Sequence, residues 1–191
     1  DRPASNIQSI CVYCGSSPGT NPAFVEAARA LGTTFANADI QLVYGGGDRG
    51  LMGAVARGVL SNNGRVTGII PEFLMQKEQA HGTDDLPGAE MVVVPDMHTR
   101  KHMMFDKADA FVALPGGIGT LEELVEIMTW AQLGRHTKPI ALLNIDDFWS
   151  PLIDLVEHMS ELGFLHNPEL TELRIANRPQ DVISVLTGTE G

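Results

Sequence analysis

One stretch constrains this chain more than any other: Ala110-Phe111-Val112-Ala113-Leu114-Pro115-Gly116-Gly117-Ile118-Gly119-Thr120-Leu121-Glu122-Glu123. An apolar run of strand length stops at a proline, and three glycines follow within four positions. A threonine and two carboxylates then open a strongly patterned helix. In an open α/β sheet this is the carboxyl end of a strand, where ligands bind outside the sheet edge. Glycines let the backbone approach a phosphate closely, and the free N–H groups of a helix N-terminus favour an anion. The plainer alternative is a turn whose Thr120 caps the helix while Glu122 and Glu123 complement its dipole. That alternative does not require three glycines, and a phosphate site does.

Composition bounds the rest. A chain of 191 residues with 43% hydrophobic and 19% charged residues suits one domain, spanning 1–191, with a sizeable core. A net charge of −11 argues against broad nucleic-acid binding, which needs a basic footprint, but leaves room for a single nucleotide phosphate in a local pocket. No apolar run approaches the length of a membrane span and no leader pattern is visible, so no membrane partner and a cytoplasmic location are expected. The two cysteines, Cys11 and Cys14, are spaced C-x-x-C. A zinc site needs about four ligands and no second pair exists, so they read as core thiols on opposite faces of a first strand, and no metal is expected.

Strands and helices alternate along the chain. Ile7 to Tyr13 reads as a first strand with Gly15-Ser16 in the loop beyond it, and Asn21-Pro22 starts a helix with Phe24, Ala27, Ala28, Leu31 and Phe35 on its apolar stripe. Ile40 to Tyr44 is a second strand, followed at once by Gly45-Gly46-Gly47 and Gly50, which satisfy G-x-G-x-x-G, with Glu72 about twenty residues on. The pattern follows the second strand rather than the first, so it fits one nucleotide phosphate held between two strand ends better than a dinucleotide. Glu72 to Gly88 reads as a short helix and a surface loop, a candidate lid. Met97 to Ala108 is a helix whose His98 and His102 have the i, i+4 spacing of a metal pair. No matching carboxylate accompanies them, and they read as solvent-facing or packing histidines. Arg100-Lys101 sets two cations near a helix start, which hints at an anionic ligand. Beyond the opening stretch, Leu121, Leu124, Val125 and Met128 form one apolar face of a helix, while Ile127, Trp130 and Leu133 lie elsewhere on it. The first face is expected against the sheet and the second against a partner subunit. Asp146 to Leu162 reads as one long helix, Leu173 to Ala176 as a last strand and Pro179 to Leu186 as a closing helix. The sum is a doubly wound, mostly parallel sheet in three α/β/α layers, Rossmann-like in class.

Pro115-Gly116-Gly117-Ile118-Gly119-Thr120-Leu121-Glu122-Glu123 matches the P-G-G-x-G-T-x-x-E signature of the LONELY GUY family, and Met97-His98-Thr99-Arg100-Lys101 resembles its M-H-x-R-K motif. Val43-Tyr44-Gly45-Gly46-Gly47, Gly50-Leu51-Met52-Gly53 and Thr129-Trp130-Ala131-Gln132-Leu133-Gly134 also resemble family segments, so the likeness runs from about Ile7 to Leu186. Members are cytokinin-activating phosphoribohydrolases, some under an older lysine-decarboxylase label. The resemblance implies hydrolysis of AMP or an N6-substituted AMP to free base and ribose 5-phosphate, without a cofactor. A pyridoxal enzyme would need a Schiff-base lysine, and Lys77, Lys101, Lys107 and Lys138 offer no such context.

The same resemblance implies roles. Glu123 is the carboxylate at C1′ and Arg100 the catalytic arginine. Gly116, Gly117, Ile118, Gly119, Thr120, Leu121 and Glu122 bind substrate, with Lys101, Glu78 and Thr129 at further matched positions. The glycine loops Gly15-Ser16 and Gly45-Gly46-Gly47 are added to the expected substrate contacts. Family members are dimers with the pocket near the subunit interface, so a homodimer is expected. The segment from Glu78 to Arg100 is longer here than in plant members, and Ile118 stands where an aromatic is frequent. A rival on the same fold is a non-catalytic nucleotide carrier or molybdenum-cofactor carrier. Retention of both Arg100 and Glu123 discriminates against it, because binding alone does not require the pair.

Overall fold

The computed structural model describes residues 6–79, 86–166 and 172–189. Seven strands form one sheet: β1 (Ser9–Tyr13), β2 (Gln41–Tyr44), β3 (Val66–Pro71), β4 (Glu90–Val94), β5 (Ala110–Ala113), β6 (Ile140–Leu143) and β7 (Leu173–Ala176). Their order is β4-β3-β2-β1-β5-β6-β7, and every pairing is parallel, where a mostly parallel sheet was the expectation. The chain winds outward from β1 to β4, then crosses back to lay β5 on the other side of β1. Strand order therefore reverses between β1 and β5, and the crevice of such a sheet opens there, at the carboxyl ends.

Each central strand buries both faces, with a period of two. Ile10 and Val12 of β1 and Ala110 and Val112 of β5 enter one core; Cys11, Tyr13, Phe111 and Ala113 enter the other. Cys14 joins the first core and Cys11 the second, both as free buried thiols. The first core is closed by α1 (Pro22–Asn37), α2 (Gly50–Leu60) and α7 (Val182–Thr187). The second is closed by α4 (Met97–Lys107), α5 (Ile118–Gln132) and α6 (Ser150–Glu161). A short α3 (Glu72–Gln79) follows β3, and most of the expected lid beyond it falls on residues 80–85, outside the described residues. No helix among the described residues is long and apolar enough to cross a membrane.

Two helix expectations are corrected. The long helix from Asp146 is broken at its start: Asp146 and Asp147 sit at φ 49° and 58°, so Ile145–Asp147 forms a separate 3-10 turn before α6. Aspartate tolerates that left-handed backbone better than most residues, and the Asp146 carboxylate accepts a hydrogen bond from Asn21, which also caps α1. On α5 the buried residues are Thr120, Leu124, Ile127 and Ala131, while Val125 is 44% exposed. The helix is thus turned by about a quarter revolution from the wheel anchored on Leu121. A small polar residue, Thr120, takes the inward position. Trp130, expected against a partner, is partly buried in its own chain: its indole packs on Phe105 at 5.1 Å and on His102 at 5.7 Å. The outward face carries Ile118, Val125, Thr129 and Leu133 instead.

Helices α1 and α2 approach most closely. A Cβ on Gly58 would stand 2.3 Å from the Arg29 carbonyl oxygen, and one on Gly32 would stand 2.3 Å from that of Val55. Replacing a helical glycine by alanine gains up to about 1 kcal/mol of intrinsic propensity, whereas overpacking typically costs about 1–3 kcal/mol. The steric term wins here, since the obstacle is backbone. Gly58→Ala is expected to lower the thermal midpoint by several degrees, at about 2–4 °C per kcal/mol for a chain of this size. A midpoint equal to or above the parent in a calorimetric scan would show that the helices separate freely.

Candidate active site

The site is built where strand order reverses. The Gly15 amide, just past β1, donates to the Pro115 carbonyl just past β5 at 3.1 Å. The Gly15 carbonyl accepts from the Leu51 amide at 3.1 Å and the Met52 amide at 3.3 Å, at the start of α2. One residue therefore ties together the loops after β1 and β5 and the first turn of α2. A Cβ on Gly116 would meet Thr120 Oγ1 at 2.1 Å and the Gly15 nitrogen at 2.9 Å, so no side chain fits there.

Gly117 and Gly119 differ from Gly116 in kind. A Cβ on either meets nothing within 4 Å, and both line a cavity of about 370 Å³. Gly116 is required by packing; Gly117 and Gly119 leave room for something else. Gly117 is the N-cap of α5 and supplies no side-chain acceptor, so the first-turn N–H groups remain available to an outside anion. The plainer alternative, in which Thr120 caps the helix, does not hold: Thr120 is a first-turn residue, 5% exposed, on the cavity wall. Gly15, Ser16 and Gly116 also line the cavity, and Phe24, Leu51, Met52 and Phe148 give it an apolar side, the two phenylalanines meeting edge to face at 5.9 Å.

Glu123 stands one turn of α5 beyond the open N-terminus and closes the floor of the cavity. Burial pushes its carboxyl up to about 7; Arg100 and Lys101 pull the other way, and Glu122 and Glu126 add to the rise. Beside it, burial also raises the thiols of Cys11 and Cys14 and the phenol of Tyr13, each reinforced by the charge of Glu123. These three groups are held protonated. A carboxyl half-ionised near neutrality, on the floor of a cleft, is what acid–base chemistry at physiological pH calls for.

Arg100 comes from the first half of α4 and is 6% exposed. Its Nη2 donates to the Gly45 carbonyl at 2.6 Å and its Nε to the Ile69 carbonyl at 3.0 Å, so the ends of β2 and β3 hold the guanidinium. A Cβ on Gly45 would lie 2.0 Å from Nη2. Gly45, Gly46 and Gly47 are buried and, like Arg100 itself, do not line the cavity; the Gly45 carbonyl seats the guanidinium.

The remaining expected residues lie elsewhere. Lys101 Nζ is bound by the carboxylates of Glu122 and Glu126, the latter at 3.0 Å, and is off the main cavity. Ile118 is 81% exposed, Thr129 is exposed with its hydroxyl donating to the Val125 carbonyl at 2.8 Å, and Leu121 is partly buried on the flank of α5. The side chain of Glu78 lies outside the described residues. Sequence reasoning missed Glu126, although the spacing Glu122-Glu123-x-x-Glu126 puts it on the same side of a helix as Glu122 and Glu123. It also placed Phe24 on the apolar stripe of the first helix without a part in the cavity wall. His98 and His102 face each other at 5.6 Å between ring centres in an aromatic cluster, and no metal-binding group was found among the described residues.

Residues 52–186 match a family described as "Possible lysine decarboxylase". The chain is 47% identical over 161 residues to a cytokinin riboside 5′-monophosphate phosphoribohydrolase of Arabidopsis thaliana, LOG7, covering 84% of this chain and 72% of that one. It is 44% identical over 186 residues to a second, LOG4, from the same plant, covering 97% and 80%. Among solved structures, the molybdenum cofactor binding protein from Rippkaea orientalis superimposes with a TM-score of 0.67 at 21% identity, over 96% of this chain and 98% of that one. The Moco carrier protein from Chlamydomonas reinhardtii does so at 0.68 and 18%, with the same coverage. These two likenesses establish a shared fold, whereas the sequence identities, over most of the chain, establish the family. The chain belongs to the LONELY GUY family of phosphoribohydrolases.

Proposed function

We propose that this protein hydrolyses the N-glycosidic bond of N6-substituted adenosine 5′-monophosphates, releasing a cytokinin-type base and ribose 5-phosphate. The observation that carries the reading is the pairing of an open helix N-terminus with a buried carboxyl one turn away, on the wall of one cavity. A turn of helix rises about 5.4 Å, a span that a ribose 5-phosphate bridges between its phosphate and C1′. The phosphate takes the N–H groups around Gly117, Gly119 and Thr120, and C1′ then lies over Glu123.

The chemistry follows from these positions. As the C1′–N9 bond breaks, its electron pair goes to the base and positive charge builds on the ribose, as in glycoside hydrolysis. The Glu123 carboxylate stabilises that charge and takes a proton from the attacking water, whose oxygen bonds C1′. The proton then passes to the departing base. Arg100, held by two backbone carbonyls, orients the ribose and balances charge. A cofactor carrier on the same fold has no need of a carboxyl tuned to about 7.

The active unit is a homodimer in this reading. Ile118, Val125 and Leu133 are 81%, 44% and 68% exposed on the outward face of α5, with Glu122 and Thr129 between them. Apolar groups gathered in this way mark an interface. Glu122 and Thr129 face away from their own cavity, and a second copy brings them toward the neighbouring one.

Three outcomes test the reading. Glu123→Gln and Arg100→Ala should each slow base release from isopentenyl-AMP by at least ~10²-fold while leaving the melting profile two-state. In the parent, kcat/KM should rise with pH and level off above about 7, where Glu123 is ionised. Near-parental turnover in either variant would remove that residue from the chemistry.

Gly119→Val should leave stability nearly unchanged, since its side chain enters open space, yet abolish the preference for the monophosphate over the nucleoside. Equal kcat/KM for adenosine and AMP analogues in the parent protein would remove the phosphate cradle.

Val125→Asp should lower the mass seen by light scattering from dimer to monomer and reduce activity with it. Trp130→Asp is unsuitable for this purpose, because Trp130 packs within its own chain. A fully active parental monomer would defeat the dimer reading.

A further inference from the structure

Glu123 is shared by two cavities. Behind the substrate cavity lies a second one of about 10 Å³, bounded by Tyr13, Lys101, Glu123, Glu126, Ile127 and Trp130, and Glu123 is the one residue common to both linings. Its size is about that of a single water molecule. Three of its walls carry groups that form or carry charge, and they converge on the back of the carboxyl that the reaction uses. Lys101 reaches this spot from α4 and is clamped by Glu122 and Glu126 of α5. The Lys101 and Glu126 side chains are 23% and 25% exposed, too enclosed for the bridge to be an ordinary surface pair. Neither residue lines the substrate cavity.

We propose that Lys101 and Glu126 are a positioning pair that sets the charge state of Glu123 from behind, and that Lys101 acts through Glu123 rather than on the substrate phosphate. This rests on the reading above, in which Glu123 is the reacting carboxyl. Among the described residues, the charged and titratable groups facing Glu123 are Arg100 and Lys101 from α4, Glu122 and Glu126 from α5, and Cys11, Tyr13 and Cys14 from β1 and its end. His102 stands one ring further out, against Trp130. Tyr13 and the cysteines are held neutral by burial, so the adjustable charges are those of the arginine, the lysine and the two outer glutamates.

The signs are definite. Glu126→Gln removes a negative charge beside Glu123 and frees Lys101 from one of its two counter-charges. Both changes favour the carboxylate, so Glu123 should titrate at lower pH, by about one unit for a charge at this range. Lys101→Met removes the cation and leaves Glu122 and Glu126 unneutralised, so Glu123 should titrate at higher pH. The double variant carries the same net charge around Glu123 as the parent and should return toward the parental value. Lys101→Arg keeps the charge and should also stay near it.

The experiment follows the Glu123 carboxyl by 13C NMR across pH 5–9 in the parent and these four variants, alongside pH profiles of kcat and KM with AMP and isopentenyl-AMP. Opposite shifts in the two single variants, with KM within about twofold of the parent, are the expected result. Unmoved titration in Glu126→Gln overturns the proposal, whether or not Lys101→Met folds. So does a tenfold rise in KM for Lys101→Met with its profile in place, since Lys101 would then hold substrate. A carboxyl that shifts as expected in a protein releasing no base from either nucleotide would instead overturn the assigned reaction and leave the pair standing.

Discussion

The site depends on the backbone of one residue. By donating to Pro115 and accepting from Leu51 and Met52, the Gly15 backbone fastens the two strand ends between which the sheet reverses order. Gly116 packs against that backbone with no space for a side chain, and Thr120 packs against Gly116. The start of α5 is located through this chain of contacts, and Glu123 one turn later is located by the start of α5. A parallel sheet always opens a crevice at such a reversal. What distinguishes this one is how little freedom remains to the backbone that lines it.

Much of this was legible in the residues. Alternating apolar runs and glycine punctuation pointed to a parallel α/β sheet because buried parallel strands and helix starts both leave strong local patterns. The run from Pro115 to Glu123 pointed to the cavity because only glycine serves where backbone meets backbone or a ligand. The sequence is silent on which of these needs applies at each position. Gly116 serves the packing, while Gly117 and Gly119 keep the cavity open, and that difference appears only when neighbouring strands are brought together. The duty of Gly45 after β2 is hidden from the sequence for the same reason. Its partner is a guanidinium more than fifty residues away in the chain.

The rotation of α5 shows a second limit. A helical wheel ranks faces by hydrophobicity, and Leu121, Leu124, Val125 and Met128 make the richest one. The fold instead buries Thr120, Leu124, Ile127 and Ala131, which sets a small hydroxyl residue against Gly116 and brings Glu123 to the cavity wall. In that orientation the leftover apolar groups are turned outward. Local rules give way at functional sites, and here the exception identifies the site.

The way Arg100 is held has a consequence for how a ligand would be received. An arginine side chain carries up to about 2 kcal/mol of rotamer entropy, which is normally lost when it grips a substrate. Here the carbonyls of Gly45 and Ile69 have already restricted its torsions by the time the sheet is assembled. That loss is absorbed in folding, so any group that Arg100 engages meets a guanidinium with little rotational freedom left to surrender.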